Sequence, residues 1–182
     1  MEVSTFTARR KTVTTQAGDI AYTEFGDGPA ALFIHGIGTS GAAWRHVIEQ
    51  LAGTTRCIAV DLPVHGGTPA RADLSVATMA TLARDLADAL DLGQVDLVGA
   101  DTGGAVAQIF AARNPARLRT LALTNCDTDG NFPPPEFAPI IEAARQHQLA
   151  GALSAITADP AAWHVECAVD RERVMSSAHS TR

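Results

Sequence analysis

The sequence predicts an α/β fold, an open and mostly parallel sheet with an antiparallel hairpin at its N-terminal end. Three observations predict it. Short continuous apolar runs alternate with amphipathic stretches from the N-terminus to about residue 126. Strand–helix–strand alternation requires right-handed crossovers and puts helices on both faces of a parallel sheet. Two β-type segments joined by a glycine-containing turn precede the alternation and supply the hairpin.

The elements follow in order. Residues 11–16 and 19–25 read as the hairpin strands, joined at Ala17-Gly18, and Gly26-Asp27-Gly28-Pro29 is a turn by composition. Ala30-Ala31-Leu32-Phe33-Ile34 is a continuous apolar run that stops abruptly at His35-Gly36, as a buried parallel strand does. A helix is expected over 42–51, and Cys57-Ile58-Ala59-Val60 is the next buried strand, closed by Asp61-Leu62-Pro63. Val76, Met79, Ala80, Ala83, Leu86 and Leu90 share one face at helical spacing. Ser75 is placed to cap that helix, and Gly93 to end it in a left-handed conformation. Residues 95–98 read as a strand, 103–113 as a helix stopped by Asn114-Pro115, and 118–124 as the sixth strand. Sheets of this kind bind ligands at the carboxyl ends of their strands.

After Asn125 the texture changes. Residues 126–135 are polar and proline-rich, ending in Pro133-Pro134-Pro135. Residues 136–149 can form an amphipathic helix on Phe137, Ile140, Ile141 and Ala144, and Asp159-Pro160 reads as another helix start. The last residues, from Ser176 to Arg182, form no element. The expected division is a core over 1–130 and a separate helical region over 131–182 with a frayed tail.

Composition narrows the function. The chain has 182 residues, enough for one domain with a real core, and 46% hydrophobic against 19% charged residues reads as globular. A formal charge of -6 draws this surface neither to nucleic acid nor to an anionic membrane. The one basic run, Arg9-Arg10-Lys11, is expected to be a solvated strand edge. No apolar stretch approaches the roughly 18 residues of a membrane span, and no secretory segment opens the chain. Cys57, Cys126 and Cys167 lack metal-ligand spacing and read as reduced thiols, so a cytoplasmic location is expected. No metal and no cofactor are called for.

The chemistry is carried by Gly99-Ala100-Asp101-Thr102-Gly103-Gly104, at the junction of a strand and a helix. The spacing Gly-x-Asp-x-Gly suits a turn in which the central residue is strained and its side chain is presented above the sheet. Gly99 and Gly103 then keep the strand and helix close, and Gly104 and Ala105 let the helix settle. The competing reading makes Asp101 a helix cap worth on the order of 1 kcal/mol. A dinucleotide site needs G-x-G-x-x-G, which glycines at 99, 103 and 104 do not satisfy.

His35-Gly36-Ile37-Gly38-Thr39-Ser40, Trp44-Arg45, Asp61-Leu62-Pro63-Val64-His65-Gly66 and the Asp101 turn resemble, in order, the landmarks of the α/β-hydrolase family. The resemblance covers residues 11 to about 130, and an Asp at the elbow is similar to the branch of haloalkane dehalogenases, epoxide hydrolases and fluoroacetate dehalogenases. It implies that Asp101 attacks a carbon of a small, mostly apolar substrate and forms an alkyl ester, which a His-activated water hydrolyses. It further implies an oxyanion hole from the backbone N–H groups of Ile37 and Thr102, with His35 and Gly36 shaping the loop. Two departures are visible. Thr102 stands where those enzymes commonly place a Trp, and Ile37-Gly38 replaces their proline-containing pair.

The family's catalytic His follows the last sheet strand, and none of His147, His164 or His179 follows a buried strand. Asp127, just beyond the sixth strand, is the candidate orienting acid, with Asn125 and Asp129 near it. The resemblance thus implies a chain truncated after the sixth strand and the start of a helical cap, with low turnover alone. A non-catalytic ligand-binding protein and an inactive fragment are the alternatives. An exposed sheet edge at the sixth strand would favour self-association.

Overall fold

The computed structural model describes residues 1–126, 133 and 135–151. They fall in two units, Met1–Phe132 and Pro133–Arg182.

In the first unit, β1 (Arg10–Thr15) and β2 (Gly18–Phe25) form the antiparallel hairpin. Its turn lies one residue earlier than expected, at Gln16-Ala17, because Thr15 pairs with Gly18. The Thr15 hydroxyl accepts the Ala17 N–H at 3.2 Å and donates to the Gly18 carbonyl at 2.9 Å, which closes the turn there. β3 (Ala30–Ile34), β4 (Arg56–Val60), β5 (Val95–Ala100) and β6 (Leu118–Thr124) complete a six-stranded sheet in the order β1-β2-β4-β3-β5-β6. β2 joins β4 antiparallel, and β4, β3, β5 and β6 are mutually parallel. The mostly parallel sheet with an N-terminal antiparallel hairpin is therefore present. The chain steps from β3 to β4 on one side and returns to β5 on the other, so the strand order reverses between β3 and β5. Crevices at such reversals, outside the carboxyl ends of the strands, are where open α/β sheets take ligands.

Both faces of the sheet are covered, which is why all five residues of β3 are buried. On one face Leu32, Ile34, Ile58 and Val60 pack beneath α3 (Val76–Ala89) and α4 (Thr102–Arg113), which contribute Leu86, Val106 and Phe110. On the other, Ala31, Phe33, Cys57 and Ala59 pack with Phe6, Ala42 and Ile48. Phe6 comes from α1 (Val3–Thr7), a helix that the sequence pattern did not announce. The helix expected over 42–51 is a 3-10 turn at Gly41–Trp44 that continues as α2 (Arg45–Leu51).

Ser75 caps α3 as expected, its hydroxyl accepting the Thr78 N–H at 3.2 Å. The left-handed residue that ends α3 is Asp91, φ 51°, and not Gly93. The Leu92 N–H reaches back to the Ala87 carbonyl at 2.8 Å, and this bond puts the Leu92 side chain into the core at 2% exposure. Burying that leucine sets the position of the turn, at the cost of a left-handed Asp. The Arg9-Arg10-Lys11 run is also more than a solvated edge. Arg9 lies over the Phe25 ring at 4.8 Å, Arg10 pairs with the buried Asp61 at 2.7 Å, and Lys11 pairs with Glu24 at 2.7 Å.

β6 is different from its neighbours. Leu121 and Leu123 are each 40% exposed, and among the described residues no strand pairs with its outer edge.

In the second unit, a 3-10 turn at Pro135–Phe137 leads into α5 (Ala138–Arg145), shorter than the helix expected over 136–149. His147 turns left-handed at φ 58°, and the Gln148 N–H closes on the Ala143 carbonyl at 2.7 Å. Asp159-Pro160 and the C-terminal tail lie outside the described residues.

Candidate active site

β5 ends at Ala100 and α4 begins at Thr102, so Asp101 alone makes the turn, with φ 52° and ψ -130°. That conformation is strained for a residue with a side chain, by on the order of 1–3 kcal/mol, and persists only where the surroundings impose it. They do so here by close approach. A Cβ on Gly99 would lie 2.5 Å from the Gly103 carbonyl oxygen and 2.8 Å from Ala107 Cβ. A Cβ on Gly103 would lie 2.3 Å from the Ile34 carbonyl oxygen. Gly104 makes room for Cys126, whose Cβ would be 2.2 Å from an added Cβ. The Asp101 N–H is held by the Asn125 carbonyl at 3.2 Å, which ties the turn to the end of β6.

Asp101 occupies the cap position of α4, yet its side chain makes no capping bond. The Gly104 N–H is satisfied instead by the Asp101 backbone carbonyl at 2.8 Å. The carboxylate lies against the β3 loop, where Oδ2 accepts the Ile37 N–H at 3.1 Å. Capping is therefore not what this side chain does.

The loop after β3 and the loop after β4 are cross-laced by two histidines. His35 Nε2 accepts the Leu62 N–H at 3.0 Å, and its Nδ1 lies 2.7 Å from the Gly36 carbonyl. His65 Nε2 accepts the Gly38 N–H at 3.0 Å, and its Nδ1 lies 2.9 Å from the Pro63 carbonyl. Each ring accepts at Nε2 and so must donate from Nδ1, which makes both neutral. The rings meet edge to face, 5.2 Å apart. His35 is 1% exposed, and its burial pushes the imidazole pKa down from the ordinary value. Asp61, also 1% exposed, anchors the ends of both loops: Oδ1 accepts the Gly41 N–H at 2.9 Å, and Oδ2 accepts the Gly67 N–H at 2.8 Å and Arg10 Nε at 2.7 Å.

Of the residues expected at the site, Asp101, Ile37, His35, Gly36, Gly99, Gly103 and Gly104 come together at the β3 and β5 ends. Thr102 is the first residue of α4, so its N–H is among those a helix start leaves without an intrahelical partner. Asp127, His164 and His179 lie outside the described residues, and His147 is exposed in the second unit. His65 and Asp61 carried no role in the sequence reading. The signal was the stretch Asp61-Leu62-Pro63-Val64-His65-Gly66, whose regular landmark pattern did not say which side chains turn inward. Among the described residues no group of three or more His, Cys, Asp or Glu side chains is arranged to hold a metal ion.

Comparison with known proteins identifies the family of this fold. A family profile described as the alpha/beta hydrolase fold matches residues 29–168. A haloalkane dehalogenase of Agrobacterium fabrum is 39% identical over 102 residues, covering 54% of this chain and 33% of the enzyme. A pimeloyl-[acyl-carrier protein] methyl ester esterase of Chromobacterium violaceum is 36% identical over 126 residues, covering 66% of this chain and 48% of the enzyme. Among solved structures, the epoxide hydrolase CorEH superposes with a TM-score of 0.65 at 28% identity, covering 73% of this chain and 49% of that one. The chain thus spans less than half the length of these relatives. With a profile match over most of its length and relatives that are dehalogenases, epoxide hydrolases and esterases, the chain belongs to the α/β-hydrolase family.

Proposed function

We propose that Asp101 is the nucleophile of a hydrolase site for a small, mostly apolar haloalkane or epoxide, acting through an alkyl-ester intermediate. The observation that carries the proposal is the bond from the Ile37 N–H to Asp101 Oδ2, which turns the carboxylate away from α4. Among the described residues no group hydrogen-bonds Oδ1, which keeps its lone pairs for attack. Oδ1 forms a C–O bond to the substrate carbon. The carbon–halogen bond breaks and halide leaves with the electron pair, or the epoxide C–O bond breaks and the alkoxide takes a proton from water. Oδ2 becomes the ester carbonyl oxygen, still facing the Ile37 N–H. That donor, with the Thr102 N–H, then supports the oxyanion as water attacks. Asp127 is the proposed orienting acid for the base. Among the described residues no histidine hydrogen-bonds Asp101, and the ester is expected to form once and to be hydrolysed slowly unless a histidine outside them activates the water.

The test is intact-mass and peptide mass spectrometry after incubation with 1-bromohexane or styrene oxide. A Cys126→Ser background removes the thiol that packs beside Gly104. One adduct on Asp101, absent in Asp101→Ala, is the expected result. Reversible ligand binding with no adduct would replace this reading with a non-catalytic binding protein.

Self-association through β6 is proposed on a separate observation. Thr120-Leu121-Ala122-Leu123-Thr124 reads the same in both directions. Antiparallel pairing about Ala122 therefore sets Leu121 against the Leu123 of a second copy, forming a two-fold interface. Sedimentation should show a dimer that Leu123→Lys dissociates, and a clean monomer at high concentration would end the proposal.

A further inference from the structure

The structure assigns His65 as a positioning residue that holds the loop carrying the Ile37 N–H, by accepting the Gly38 N–H. Its effect on rate rests on the reading of Asp101 as nucleophile; the holding of the loop does not.

The loop tip has little else to hold it. Ile37 is 57% exposed, and a Cβ on Gly38 would meet nothing within 4 Å, so packing does not fix these residues. The loop is anchored where it begins, by the buried His35, and where it ends, by the Gly41 N–H on Asp61. Between them, among the described residues, only two hydrogen bonds reach other segments: Ile37 N–H to Asp101 Oδ2 at 3.1 Å and Gly38 N–H to His65 Nε2 at 3.0 Å. The first depends on a carboxylate. Once Oδ1 is alkylated, Oδ2 is a neutral ester carbonyl and a weaker acceptor. The bond to His65 is then the one that keeps the Ile37 N–H in place for the second step.

His65 is prepared for this. Its backbone N–H donates to the Leu62 carbonyl at 3.0 Å, and its Nδ1–H donates to the Pro63 carbonyl at 2.9 Å. The second bond sets the tautomer that leaves a lone pair on Nε2. The His35 ring against its edge limits rotation. Both ring nitrogens of His65 are occupied by backbone partners, so this residue positions and does not carry protons.

Amide hydrogen exchange and NMR on the intact chain test the assignment. In the wild type, a scalar coupling across the Gly38 N–H···Nε2 bond is expected, and its absence would overturn the proposal without any variant. In His65→Leu, the Ile37 and Gly38 amides should exchange about tenfold faster, the effect of one hydrogen bond, while β5 amides keep their rates. His65→Gln offers a carbonyl acceptor and should recover most of that protection. Hydrolysis of the Asp101 ester formed with styrene oxide should slow in His65→Leu and recover in His65→Gln. Unchanged exchange in His65→Leu would overturn the proposal. If wild-type protein forms no adduct, the nucleophile reading fails while the exchange experiment still decides the role of His65.

Discussion

A Cβ on Gly36 would lie 2.4 Å from Asp101 Oδ2 and 2.6 Å from Asp101 Cβ, so the carboxylate occupies the space that a side chain at position 36 would fill. The β3 loop and the β5 turn are thus fitted to each other at the Asp101 side chain. Gly36→Ala is expected to displace the carboxylate from the Ile37 N–H. A misplacement of about 1 Å costs about a hundredfold in rate, and a loss of that order is expected here. The check is a time course of Asp101 esterification, and a rate within twofold of wild type would show that the position does not matter.

Close approach of α4 to the sheet gives a second expectation. Gly103→Ala drives a methyl group into the backbone carbonyls of Ile34 and His35, at 2.3 and 2.4 Å, and backbone cannot swing aside as a side chain can. Overpacking of this kind costs about 1–3 kcal/mol or more. Gly93→Ala meets nothing within 4 Å and should be close to neutral. Urea denaturation of the two variants should separate them clearly.

Val64 offers a stabilising change. It sits at φ 63° with 57% of its surface exposed, so its branched side chain is strained and packs against little. A left-handed conformation costs a residue with a side chain about 1–2 kcal/mol, and glycine's extra chain entropy offsets about 0.5–1 of that. Val64→Gly should raise stability by up to ~1 kcal/mol, or about 2–4 °C in Tm for a chain of this size. A lower Tm would mean that the Val64 side chain makes a contact that matters.

The buried His35 makes stability depend on pH. Burial is the largest influence on it and lowers its pKa below 6.5, against a smaller opposing pull from the Gly36 carbonyl. The unfolded chain therefore takes up this proton at a higher pH than the folded one. Its contribution is complete above pH about 6.5 and is lost as pH falls through the folded value. Unfolding free energies at a series of pH values below 7 should decline for the wild type, and His35→Asn should remove that part of the slope.

The elements that could be read from the sequence are those whose signal is local. Ala30–Ile34 is apolar at every position because it is buried on both faces, and α3 repeats its apolar residues at helical spacing over four turns. Gly99, Gly103 and Gly104 mark a close approach that their own short segment reveals. What escaped was carried by contacts distant in sequence or by elements too short to show a period. α1 has five residues and a single buried one, Phe6. Arg10 meets Asp61 across 51 positions, and Gly38 meets His65 across 27. Asp91 ends α3 because Leu92 has to reach the core, a demand that only the folded chain imposes.

By itself the sequence determined the succession of strands and helices along the chain, the sharp turn at Asp101 and the glycines that permit it, because backbone conformation and apolar period are properties of neighbouring residues. Tertiary structure decided which way the Asp101 side chain faces. A helix cap and an elbow can be written in the same five residues. They part only on whether an N–H 64 positions away, at Ile37, is brought within hydrogen-bonding distance of the carboxylate.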